Sequence, residues 1–343
     1  MKHKKEGFGA PAYLFFILVT GITCVLCVCI GSVTIPIADT LLVIWNTIWN
    51  LPIPEGIAHS IIVSVRIPRA ICVALVGASL ALCGAAMQGL LRNPLADGST
   101  LGVSSGAALG ACIAITFGIT IPWLPRGGAM FMAILFAFIS LILVLSLAYN
   151  IDFSLSTNTI ILIGVIFTMF MNSIIALVIT FAGEKIRHIM FWTLGSLSGT
   201  NYTDAMLLTV SLVICGAILL SHARELNAFA IGEQNARHVG VNVGRIKIII
   251  MVCVSILIGV SVSIGGTIAF VGLVIPHMTR MIVGPNHKRL LVTSLFFGAV
   301  FLMLADLVSR ILLSPLELPI GVVTSFVGSI VFVYIFTKAR RVQ

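Results

Sequence analysis

Long apolar runs separated by short polar turns dominate this chain. A helix needs about 20 apolar residues to cross the hydrocarbon core of a bilayer. Runs of that kind lie near 11–32, 62–91, 100–118, 128–149, 159–182, 204–221, 246–264, 267–283, 290–308 and 319–338. They predict an all-α membrane protein of about ten transmembrane helices, because only a helix satisfies its own backbone polar groups in lipid without closing a barrel. The second run is long enough to tilt or to project beyond the bilayer. The eighth is short and follows Gly265-Gly266, so its start is expected to be unwound or buried.

Gly77, Ser79, Gly84 and Pro94 recur at a constant offset of 182 as Gly259, Ser261, Gly266 and Pro276. The recurrence predicts one membrane domain of two five-helix halves, approximately 1–200 and 201–343. An odd number of spans per half makes the halves inverted, as in many transporters. Small residues crowd the second, third and seventh runs, for example Ser104-Ser105-Gly106-Ala107-Ala108, and permit close helix approach.

Composition narrows the class. Of 343 residues, 59% are hydrophobic and 9% charged, and the mean hydropathy is +1.17. A soluble domain carries about 25% charged residues, so lipid must be the solvent over most of this surface. The eight cysteines all sit in apolar runs and read as small hydrophobes. The first run is longer than a signal-peptide core and lacks a clear small-residue cleavage site, so it reads as a retained span. Of the 20 Lys and Arg, only Arg66, Arg69, Arg126, Lys185, Arg187 and Arg310 fall on the side away from the N-terminus. This positive-inside bias puts both termini in the cytoplasm. It also explains most of the net charge of +9 without a nucleic-acid partner, which would need a soluble basic face.

Candidate chemistry is sparse. Neither a His-Glu-x-x-His zinc motif nor a Gly-x-x-x-x-Gly-Lys phosphate loop is present, and no catalytic set or metal-ligand set emerges. An energy source based on nucleotide would therefore reside on another chain. The longest loop on the cytoplasmic side spans about 222–245. From Glu233 to Val239 it can form two helical turns, with Gly240 suited to end them and Ala236 and Val239 sharing a face. It reads either as an ordinary surface loop or as a docking helix that takes up force from a partner. At the opposite end, Arg66 and Arg69 flank Ile67-Pro68, and Arg310 lies near Asp306 and Glu317. These arginines either snorkel or pair internally, for instance Arg310 with Asp306, or form a basic rim for an acidic partner.

Several motifs resemble one family in order along nearly the whole chain. They are Arg66-Ile67-Pro68-Arg69, Gly84-Ala85-Ala86-Met87-Gln88, Asn93-Pro94-Leu95-Ala96, the run from Gly265 through Gly272 to Pro276-His277, and Glu317-Leu318-Pro319-Ile320-Gly321. They resemble the permease subunits of bacterial ATP-binding-cassette importers for iron–siderophores, haem and cobalamin. The resemblance implies a homodimer or close heterodimer in the cell membrane, with two cytoplasmic ATPase subunits that use ATP-Mg and an external solute-binding protein. No cofactor is then expected on this chain. It further implies ATPase docking through Gly232, Glu233, Ala236, Arg237 and Gly240. Arg66, Arg69 and Arg310 would meet acidic residues of the binding protein. Leu155-Ser156-Thr157-Asn158 would narrow the inner end of the path, and Asn93, Pro94, Gly266 and Pro276 would be structural motif positions. The competing reading is a secondary transporter driven by an ion gradient, a class that usually carries ionisable groups at mid-membrane depth; here Asp306 is the only carboxylate well inside a span.

Overall fold

The computed structural model describes residues 7–49, 51, 57–121 and 127–340. Lys2, Lys4, Lys5, Arg126 and Arg341, counted above in the charge bias, lie outside the described residues. The elements are α1 (Ala10–Cys29), α2 (Ile37–Ile48), α3 (Ile57–Ile61), a π-helical turn (Ile62–Arg66), α4 (Ile67–Leu90), α5 (Val103–Phe117), α6 (Gly127–Ile151), α7 (Thr157–Thr180), α8 (Ile186–Thr193), α9 (Tyr202–Ser221), α10 (Ala223–Ala230), α11 (Glu233–His238), α12 (Val243–Gly265), α13 (Val271–Val283), α14 (His287–Ile311) and α15 (Ile320–Arg340). Every predicted span coincides with a helix. Seven are long and apolar enough to cross a bilayer alone, while α5, α13 and α15 are shorter apolar helices. The sequence reading did not foresee α2, α8 and α10.

The bundle is built around α4 and α12. In each of them 78% of the most apolar window is buried, against 28% for α1 and 22% for α7. Those central helices bury most of their circumference, so most of their residues are small or apolar, with Arg69 and Gln88 of α4 and Lys247 of α12 as buried exceptions. Close approach is decided by glycine. A Cβ on Gly84 would lie 1.7 Å from the carbonyl oxygen of Gly272 on α13, and one on Gly77 would lie 2.3 Å from that of Gly298 on α14. Any side chain there would collide with backbone, so α4 meets both partners main chain to main chain.

The break before α13 is as expected. Residues 266–270 are not helical, with Gly266 at φ +68° and Phe270 also at φ +68°. Irregular backbone at membrane depth must find partners within the protein. Here three irregular stretches serve one another. Ser196 N–H donates to Gly265 O at 2.8 Å, Ile320 N–H to Gly195 O at 3.0 Å, and the Thr267 hydroxyl to Thr193 O. At the 182-residue offset the matched positions differ in setting: Gly84 is inside α4 but Gly266 ends α12, and Pro94 lies in the turn after α4 but Pro276 inside α13.

Candidate functional site

The two ends of α4 lie about 36 Å apart, for 24 residues at 1.5 Å each. Each end carries one of the predicted clusters.

At the C-terminal end of α4 the chain leaves through a turn in which Asn93 Oδ1 accepts from Leu95 N–H at 2.9 Å, with Pro94 exposed beside it. Against this end packs α10, and α11 packs on α10 and α12. Leu226 and Phe229 of α10 are fully buried and seat it on the bundle, and α10 contacts both α4 and α14. Two glycines at positive φ bracket α11, Gly232 at φ +105° and Gly240 at φ +88°. A residue with a Cβ is strained there, so both turns depend on glycine. Ala236 is buried under α11, but Val239 is 66% exposed. The shared face expected for that pair is therefore not formed. Val239 instead joins Ile231, 58% exposed, and the exposed Arg237 on the outer surface of this elbow.

A second segment meets this elbow. Between α6 and α7, Asp152 accepts from the Ser154 N–H (2.9 Å) and hydroxyl (2.6 Å), the Ser156 N–H (3.1 Å) and the Thr159 hydroxyl (3.3 Å). The hydrogen bonds from Ser154 and then Ser156 hold the Asp152 carboxyl well below the usual carboxylate range. The turn so made places buried Leu155 at φ +49°. Ser156 caps α7, Thr157 opens it, and Asn158 is exposed on its first turn. The four residues predicted to narrow the path thus form one compact turn. Lys247 of α12 joins it to α11. This fully buried ammonium lies 2.7 Å from Glu233 Oε1 and donates to Leu155 O at 2.6 Å, and the Thr157 hydroxyl donates to the same Glu233 oxygen at 3.3 Å. Sequence reasoning counted Lys247 only as one more cytoplasmic cation. Its position one turn inside an apolar run was the available signal.

Two small cavities flank this region. One of about 370 Å³ lies between the turn after α4 and α7, lined by Asn93, Asp97, Thr100, Val165, Thr168 and Met169 among others. The other, about 120 Å³, lies behind it against Cys83, Asp97, Ser104, Thr267 and Phe270.

The opposite end corrects one expectation. Arg66, Arg69 and Arg310 are only 6%, 8% and 4% exposed. Arg69 donates to Asp306 Oδ1 through Nε (3.1 Å) and Nη2 (2.8 Å), and to Glu317 Oε2 through Nη1 at 2.8 Å. Arg310 Nε lies 2.9 Å from Asp306 Oδ2, while its other nitrogens donate to Ile30 O (2.9 Å) and Cys27 O (3.1 Å). Arg66 donates to Val28 O (2.9 Å), Cys29 O (3.1 Å) and Val33 O. Two of the guanidinium groups therefore satisfy the last carbonyls of α1, which no helical N–H can reach and which carry the negative end of its dipole. The basic rim open to an acidic partner is not realised; these arginines form an internal framework, and the Arg310–Asp306 pairing holds.

The sequence profile of the FecCD transport family matches residues 18–338. The chain belongs to the FecCD transport family. Among its relatives, the Bacillus subtilis ABC transporter permease protein YvrB is 38% identical over 96% of this chain and 92% of its own length. The cobalamin import system permease protein BtuC of Halobacterium salinarum is 38% identical over 85% of this chain and 76% of its own. The solved inward-facing structure of a metal-chelate type ABC transporter superposes with a TM-score of 0.83 at 32% identity, covering 96% of this chain and 99% of that one. With these relatives and its run of apolar helices, this member of the family is an integral membrane protein and a transport subunit rather than a catalytic enzyme. The helical bundle described above is the fold of that transporter's chain.

Proposed function

We propose that this chain is the permease subunit of an ATP-driven importer that admits an iron chelate (siderophore or haem) or cobalamin by alternating access. It works as a homodimer or close heterodimer in the cell membrane with both termini cytoplasmic. Two separate ATPase subunits burn ATP-Mg, and an external solute-binding protein delivers the cargo. The observation that carries the reading is the elbow of α10 and α11. It is seated on the central helix of the bundle, presents Ile231, Arg237 and Val239 outward, and is tied by Glu233 to the turn at Leu155–Asn158. A partner pushing on α11 reaches the inner mouth of the path directly. The two cavities described above are small beside a siderophore or cobalamin, which supports a path between two copies. Asp306, the one carboxylate that an ion-coupled transporter could have used, is neutralised by Arg69 and Arg310.

Uptake into proteoliposomes carrying the chain and its ATPase tests the proposal. Accumulation should require ATP and survive collapse of the ion gradients. Accumulation that follows the gradients and ignores ATP would sink it.

A further inference from the structure

Lys247 is the lysine of the described residues with no exposed surface at all. A buried ammonium left without its carboxylate is costly, so Lys247 and Glu233 are obliged to travel as a unit. Lys247 also donates to a main-chain carbonyl, Leu155 O, at 2.6 Å. That carbonyl belongs to the turn locked by Asp152 and held at φ +49°. The same Glu233 oxygen takes the Thr157 hydroxyl at the start of α7. The consecutive helices α11 and α12 and the distant 152–157 turn thus converge on one fully buried charge. Coupling between sites can be carried by chains of packed and hydrogen-bonded groups, and these contacts link α11 to the head of α7 in that way.

We propose that Lys247 is the coupling residue of the transport cycle: through Glu233 on one side and Leu155 O on the other, it delivers a displacement of α11 to the turn at the head of α7. The assignment rests on the docking reading above. It makes Lys247 a positioning residue that touches neither cargo nor nucleotide.

Hydrogen exchange on the full complex with the ATPase subunits tests it, with ATP plus vanadate as the probe. In the wild type, amides 233–238 and 154–158 should both change on nucleotide trapping. In Lys247→Met, amides 233–238 should still respond, while the response at 154–158 falls about fivefold or more, the span of ordinary coupling between sites. Lys247→Arg, which retains charge and donors, should restore it. An undiminished response at 154–158 in Lys247→Met would overturn the proposal. If 233–238 is silent in the wild type, the docking reading itself fails. Should Lys247→Met not accumulate, nucleotide titration of the wild type decides: coincident midpoints for the two segments support the link, and separate midpoints refute it.

Discussion

Asp306→Asn is the substitution with the largest consequence that the outer network predicts. The carboxylate is 1% exposed, and its two oxygens divide three contacts from two buried arginines. The amide keeps the shape. It removes the charge and turns one acceptor into a donor facing a guanidinium. Arg69 would then keep only Glu317, whose side chain is 29% exposed, and Arg310 only main-chain carbonyls. Neutralising one partner of a buried pair costs about 3–5 kcal/mol. Domains of 150–250 residues lose about 2–4 °C in midpoint per kcal/mol, and the smaller slope suits a longer chain, giving a drop of about 6–10 °C. The cysteines supply the assay: seven are buried and Cys24 is half-buried, so a thiol-reactive dye reports unfolding of the purified chain in detergent. Glu317→Gln is the control, because a partly exposed pair contributes only about 0–1 kcal/mol and its loss should move the midpoint by about 2 °C or less. An Asp306→Asn midpoint within that control's shift would refute the reasoning.

Other outcomes follow from single contacts. Gly84→Ala places a methyl against the Gly272 carbonyl and should cost at least about 1–3 kcal/mol, as is typical of overpacking, seen as a lower melting midpoint; Gly216→Ala, whose nearest neighbour would be 3.5 Å away, should be neutral or slightly stabilising. Glu233→Arg puts a second cation beside buried Lys247 and should reduce copurification of the ATPase; undiminished assembly with full ATPase stimulation would contradict the role of α11. Because hydrogen bonds depress the Asp152 pKa, its contribution is present above the ordinary carboxylate range and is lost only as pH falls through the lowered value. Hydrogen exchange at 154–156 should therefore change no more between pH 7 and 5 than intrinsic chemistry requires, and Asp152→Ala should accelerate it at both; protection lost between those pH values in the wild type would count against the reading.

The spans were legible because lipid imposes a length and an apolarity that no other environment does. The short α11 was legible from its bracketing glycine at 240 and its polar surface. The amphipathic α2 and α10 were not, since a helix of 12 or 8 residues beside long apolar runs carries little periodicity of its own. For the arginines, sequence proximity of Asp306 to Arg310 exposed one pair. The ties of Arg66 and Arg310 to the end of α1 depend on main-chain carbonyls, which leave no trace in residue identity. Lys247 escaped for a related reason: its partners are 92 residues upstream and 14 residues upstream, Leu155 and Glu233, and only the fold brings them to one point.

The glycine contacts at positions 77, 84, 272 and 298 have a mechanical corollary. Main chains pressed together with no intervening side chains cannot slide by swapping rotamers, so α4, α13 and α14 must travel as a single strut. Whatever opens and shuts during a cycle then falls to outer members such as α7, of whose most apolar window this chain buries only 22%.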